Sequence, residues 1–177
     1  ATGNDDGPGS NSGHVRIYDY DGSAWVQVGA DIDGEAASDL SGWSVSLSSD
    51  GSRVAIGAYV NDGNGSNSGH VRIYDYDGSA WVQVGADIDG EAVSDYSGNS
   101  VSLSSDGSRV AIGSTGNDGS FTSAGHVRVY SLGEYQYAWN VDGNGTPSDG
   151  SYSATVSGTD TNGNAYVAGT QSITFTI

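Results

Sequence analysis

Residues 44–58 read "SVSLSSDGSRVAIGA", and residues 100–113 return the first fourteen of those letters as "SVSLSSDGSRVAIG". In each copy apolar and polar residues alternate on both sides of an Asp-Gly pair. Val45 and Leu47 lie on one arm, Val54 and Ile56 on the other, and Asp50-Gly51 stands at the tip. A period of two places alternate side chains on one face of a strand, and Asp-Gly supplies the backbone conformations of a tight turn. The stretch therefore predicts an antiparallel hairpin with one apolar face.

The hairpin belongs to a longer duplication. Residues 10–57 and 66–113 differ only at Ala37/Val93, Leu40/Tyr96 and Trp43/Asn99, so 45 of 48 positions repeat with a period of 56. A third, partial copy begins at "SAGHVRVYSLG", residues 123–133, which puts His14, His70 and His126 in register, and likewise Arg16, Arg72 and Arg128. Repetition at such a period marks supersecondary units that cannot bury their apolar faces alone.

The other half of each unit is a second hairpin. In "HVRIYDY", from His14, Val15 and Ile17 face one way and His14, Arg16, Tyr18 and Tyr20 the other. Asp21-Gly22 turns the chain, and "AWVQVGADI", from Ala24, returns with Val26, Val28, Ala30 and Ile32 on one face. No window has helical periodicity, so the fold class is all-β, with about four strands per unit. Four-stranded antiparallel units in tandem predict β-propeller blades, and closed propellers have about four to eight of them. Residues 1–131 supply only about 2.3 units at this period, an incomplete propeller. The start at Ala1, inside a unit, and the absence of Met predict a segment of a longer chain.

The stretches "SGWSVSLSSDGSRVAIGA" and "SGNSVSLSSDGSRVAIGS" resemble the FG-GAP repeat of integrin-like propellers. That repeat opens with Phe-Gly and closes with Gly-Ala-Pro. Ser41-Gly42 and Ser97-Gly98 stand at the openings here, and Gly57-Ala58 and Gly113-Ser114 at the closes. The resemblance implies blade-like β-repeats over residues 1–131. In that family a calcium loop lies between the opening and the close, but the interval here is the short turn "SSDGSR", so calcium does not carry over to it.

Residues 132–177 have no echo of the repeat. Tyr135, Tyr137, Trp139 and Val141 alternate, as do Tyr152, Ala154 and Val156, then Ile173, Phe175 and Ile177. "DGSYSATVSGTDTNGN" resembles the later strands of bacterial immunoglobulin-like adhesin domains, which implies a β-sandwich segment. A whole domain of that kind needs about 100 residues, so the segment is partial.

Composition narrows the function. There are 22 acidic residues against five Arg and no Lys, for a net charge of −17, with 29 Gly, no Cys and no Met. Such a field repels nucleic acid and anionic membrane and attracts divalent cations. No apolar run suits a membrane span. Without Cys there is no disulfide framework. No Gly-x-Ser-x-Gly elbow and no phosphate-binding glycine loop leading into a helix occurs. Duplicated residues in duplicated surroundings argue for a scaffold rather than an enzyme, since catalysis needs groups with divergent environments in one cleft.

The acidic spacings are the metal candidates. "DIDGEAASD" places Asp31, Asp33, Glu35 and Asp39 at relative positions 1, 3, 5 and 9 of one loop, and the next copy places Asp87, Asp89, Glu91 and Asp95 likewise. Calcium takes about six to eight oxygen ligands, and alternate loop residues can converge on one point where Gly permits a sharp turn. The competing reading is a strand with Ile32 buried and Asp31 and Asp33 toward solvent, followed by an acidic turn. Asp160, Asn162 and Asn164 form a third candidate, implied by the adhesin resemblance, in a loop that holds calcium between tandem domains. Asp6, Asp62 and Asp118 recur before the His strand, where Asn, Asp and Gly also serve simply as turn formers. The three in-register His fit a metal poorly, because equivalent positions in successive blades are far apart. The Arg residues of the same strand predict repeated cross-strand contacts. "YDGSAW" resembles the Asp-box turn of sialidases, which is structural there.

The expected function is a non-enzymatic extracellular or cell-surface structural or adhesive β-repeat protein. It is expected to be calcium-stabilised, and to self-assemble or sit in a longer surface chain through open strand edges. The alternative is a glycan- or protein-binding propeller fragment using Trp25, Trp81 and Tyr side chains as stacking platforms. Positions 37, 40 and 43, where the copies differ, point either to different surroundings in the two copies or to drift in an exposed loop.

Overall fold

A computed structural model describes residues 2–3, 8–119 and 121–132, together with the backbone of 150–155 and 170–175. The chain divides into two compact units, Ala1–Gly133 and Glu134–Ile177. Among the described residues there are fourteen strands and no helix. All pairing between strands is antiparallel, and none of the sheets closes.

The expected hairpin is present in both copies. β5 (Ser44–Leu47) pairs with β6 (Arg53–Ala58), with Val45 opposite Ile56 and Leu47 opposite Val54. β10 (Ser97–Leu103) pairs with β11 (Arg109–Ser114) in the same way, Val101 opposite Ile112. At the tips, Asp50 Oδ1 accepts hydrogen bonds from Ser48 Oγ at 2.7 Å and from the Ser52 amide at 3.1 Å. Asp106 repeats this with Ser104 and Ser108.

Sheets do not coincide with the 56-residue sequence unit. β6 pairs onward with β7 (His70–Tyr76) of the next copy, and β7 carries both β8 (Trp81–Gln83) and β9 (Ile88–Asp89). One blade is thus the second hairpin of one copy joined to the first hairpin of the next. In the preceding blade the described strands are β1 (His14–Val15) with β4 (Ile32–Asp33) and β2 (Tyr18–Tyr20) with β3 (Trp25–Gln27). In the following blade they are β10, β11 and β12 (His126–Ser131).

The return strand is not continuous. Tyr74 faces Gln83, but Val71 faces Ile88, so the register slips by two residues between β8 and β9. Gly85 sits in the slip with φ of 70°, and Gly29 occupies the equivalent place with φ of 71°. A glycine in the left-handed region is the usual device for a bulge of this kind. Val26 and Val82, before the bulge, are half exposed, whereas Ile32, beyond it, is buried.

Stacking of blades makes the core. Val54 and Ile56 on one face of β6 meet Val15 and Ile32 of the preceding blade, with Trp81 and Tyr74 against them. Ala55, Val71 and Ile73 on the opposite face meet Val110 and Ile112 of the following blade. The middle sheet is consequently covered on both sides, and His70, Val71, Arg72 and Ile73 are all buried. Alternation holds along β7, but its polar face lies against the first repeat rather than water.

In the second unit, β13 (Gly150–Thr155) pairs with β14 (Thr170–Phe175), Tyr152 opposite Ile173. The alternation at Tyr135–Val141 and the candidates Asp160, Asn162 and Asn164 lie outside the described residues, as does Asp6.

Candidate inter-repeat site

The acidic loop "DIDGEAASD" follows β3, and its carboxylates go to different partners. Asp31 Oδ2 takes the Arg16 guanidinium, at 2.6 Å from Nη2 and 2.8 Å from Nε, and Oδ1 accepts from Gln27 Nε2 at 2.7 Å. These contacts, Arg16 first and then Gln27, hold the carboxyl at about 2. Asp33 is exposed and lies opposite His14 in the strand ladder. Arg16 and Asp31 come together because β1 and the end of the return strand are ladder neighbours.

Glu35 and Asp39 leave their own repeat. Glu35 Oε1 contacts Arg72 Nη2 on β7, and its Oε2 lies 3.9 Å from His70 Nδ1. Asp39 is buried, and its Oδ2 accepts from the Ala36 amide at 3.1 Å and from Asn61 Nδ2 at 2.9 Å. The second copy repeats both ties one blade on. Glu91 Oε2 meets Arg128 Nη2 at 2.5 Å, and buried Asp95 accepts from Asn117 Nδ2 at 3.0 Å. A buried carboxylate needs such donors, since burying an unpaired charge is costly.

Asp87 occupies the place of Asp31. Its Oδ1 accepts from Gln83 Nε2 at 2.6 Å and Arg72 Nε at 3.2 Å, and its Oδ2 faces His70 Nδ1 at 3.6 Å. Asp89 is exposed and opposite His70 in the ladder. Burial pushes the His70 imidazole below its ordinary range, and Asp87, Asp39 and Asp89 oppose that shift. Ligand-capable atoms of Glu35, His70 and Asp87 all lie within 4.8 Å of one another, as do those of His14, Asp31 and Asp33.

The loop is thus not gathered around one point: Asp31 and Asp33 lie near His14, while Glu35 and Asp39 serve the next repeat. The turn acids stay local. Asp62 Oδ1 accepts from the Asn67 amide at 2.7 Å and Asp118 Oδ1 from the Ser123 amide at 2.6 Å. Asp21 and Asp77 accept from the Ser and Ala amides that follow them, so the "YDGSAW" turn is structural here too. The grouping of His70 with Glu35 and Asp87 does not follow from His spacing. The exact duplication signals only that Asp87 meets Arg72 as Asp31 meets Arg16, and nothing in it signals the approach of Glu35 from the preceding copy.

The copies' differing positions also converge. Trp43 of one copy and Tyr96 of the next both stand on Tyr59, with ring centroids 4.7 Å and 6.0 Å apart. The residue 56 on from Tyr59 is Thr115, so this aromatic row forms once among the described residues.

Blades that share strands between sequence copies, stack face to face and are tied by repeated ion pairs define a tandem β-repeat protein of the blade type. Residues 28–74 match the family model described as FG-GAP repeat, a span that runs from the bulge in one blade through the Ser44–Ala58 hairpin into β7. FG-GAP repeats are generally non-enzymatic and typically occur in extracellular or surface proteins. No curated protein matches the chain.

Proposed function

We propose that this chain is a non-enzymatic, extracellular adhesive or structural β-repeat protein that associates with further copies of itself or with a longer parent through its uncovered blade face. The observation that carries the reading is on β12. Val127 and Val129 are 69% and 65% exposed, whereas their repeat equivalents Val71 and Ile73 are 0% and 2% exposed beneath the following blade. An apolar face that one repeat covers and the next leaves bare is a surface for another blade. β12 also pairs on one side only among the described residues, and open edges recruit strands.

Calcium stabilisation belongs to the same reading. It is supported by the net charge of −17 and by the exposed Asp33 and Asp89. Asp160, Asn162 and Asn164 are the proposed ligands of the adhesin-like segment, which on this reading is a partial immunoglobulin-like domain. Light scattering on the 177-residue chain at micromolar concentration tests assembly. A mass above 18.0 kDa that falls to monomer in a Val127→Ser/Val129→Ser variant is expected. A monomer whose mass and solubility ignore both substitutions would sink the proposal.

A second reading, glycan binding, is favoured by one feature. Trp25 is 70% exposed and packs at 5.4 Å against the exposed Tyr20 with its ring tilted by 54°, an exposed aromatic pair of the kind sugars contact. Trp81 is otherwise engaged, since its Nε1 donates to the Val28 carbonyl at 2.8 Å. Saturable glycan binding lost in Trp25→Ala would support this reading.

A further inference from the structure

The boundary between the first and second repeats holds a chemically unbalanced set. Asp87 is fixed by Gln83 and Arg72 through Oδ1, and Glu35 by Arg72 through Oε1. Each carboxylate therefore turns its second oxygen toward the same nitrogen, His70 Nδ1, at 3.6 Å and 3.9 Å. Those separations are too long for hydrogen bonds. They are the separations of ligands about 2.1 Å from a common ion. His70 is 3% exposed, and its Nδ1 has no hydrogen-bond partner among the described residues. Two carboxylates and one guanidinium leave a net negative charge beside a buried imidazole nitrogen, which a cation would complete.

We propose that Glu35, His70 and Asp87 bind one divalent cation of the zinc class, clipping the first repeat to the second. One imidazole nitrogen with two carboxylate oxygens suits a borderline metal, whereas calcium prefers an all-oxygen shell. Arg72 and Gln83 act behind the ligands, orienting the carboxylates as outer-shell partners do. The Glu35 side chain is 49% exposed, so the ion enters from its side and water completes the shell. The neighbouring sets are less complete. Around His14, both oxygens of Asp31 are taken, by Arg16 and Gln27. Around His126, no such group of three ligands gathers among the described residues. One such site follows among the described residues.

The site stands apart from the assembly reading, because a monomer that binds the metal would leave it intact. Titration of the chelator-stripped, 177-residue chain with Zn²⁺ by calorimetry, and with Co²⁺ by visible absorption, tests it. One equivalent should bind, with affinity lowered at least about tenfold in His70→Gln and Asp87→Asn and unchanged in His126→Gln. Should His70→Gln fail to fold by circular dichroism, the exposed Glu35→Gln gives the same reading. Absence of Zn²⁺ binding, binding that survives His70→Gln or Glu35→Gln, or equal competition by Ca²⁺ would each overturn the proposal.

Discussion

Asn61 donates from Nδ2 to Asp39 Oδ2 at 2.9 Å, and both residues are buried where one repeat meets the next. The bond recurs between Asn117 and Asp95 at 3.0 Å, so each of these buried carboxylates is paired by an amide twenty-two residues downstream. A repeat array is stable in proportion to such neighbour contacts.

Removing both partners should therefore cost less than the sum of removing each. Asp39→Ala strands the Asn61 amide and the Ala36 N–H in a buried place, at a cost of about 1–3 kcal/mol. The Asp39→Ala/Asn61→Ala pair should be less than additive by at least about 0.5 kcal/mol. Urea unfolding of the four members of the cycle checks this, and strict additivity would deny the coupling.

Gly69 tests the close approach of two chain segments. It has φ of 72°, and a Cβ there would meet the Ser97 carbonyl oxygen and lie 2.7 Å from the Ser97 nitrogen. Gly85 has nearly the same φ, 70°, with nothing within 4 Å. Gly85→Ala should cost only the left-handed backbone term, about 1–2 kcal/mol. Gly69→Ala should cost clearly more, since backbone must move. Equal losses of stability would contradict the geometry.

The aromatic row makes the two copies unequal. Trp43→Asn, which makes the first copy read like the second at that position, should cost about 0.5–1.5 kcal/mol beyond lost area, because Trp43 makes a tilted ring contact with Tyr59. Asn99→Trp should gain no matching amount, since Thr115 stands where Tyr59 would be. Thermal melts of the two variants decide it, and a gain from Asn99→Trp equal to the loss from Trp43→Asn would refute the asymmetry.

Stability should fall in two steps on acidification. His70 is held below 6.5 by burial despite Asp87, Asp39 and Asp89, with Glu35 and Arg72 beside it. The unfolded chain thus takes up that proton first, and stability declines as pH drops below about 6.5. His70→Gln should remove this slope. Asp50 and Asp106 are held at about 2, chiefly by the hydroxyls of Ser48 and Ser104, against 3.8 unperturbed. Their contribution is complete above about pH 4 and disappears toward pH 2. Carboxyl chemical shifts followed by NMR should give midpoints near those values; ordinary ones would remove the second step.

The strands and their hairpins were legible in the sequence because they depend on neighbours a few residues apart. A period of two with Asp-Gly at Asp50-Gly51 specifies pairing and register locally, and Val45 does face Ile56. The Gly85 bulge was not legible, since alternation runs through it unbroken and only the pull of β7 on two separate stretches, β8 and β9, exposes the slip. Charge partners were the least legible of all. Asp31, Asp33, Glu35 and Asp39 stand in one short loop on paper, yet Arg16 claims the first, while Glu35 and Asp39 reach Arg72 and Asn61 on the next repeat. Electrostatic attraction acts through space, and blade stacking decides which repeat supplies the opposite charge. Local periodicity thus determined the β-repeat, while the tertiary structure decided that its acids join one copy to the next.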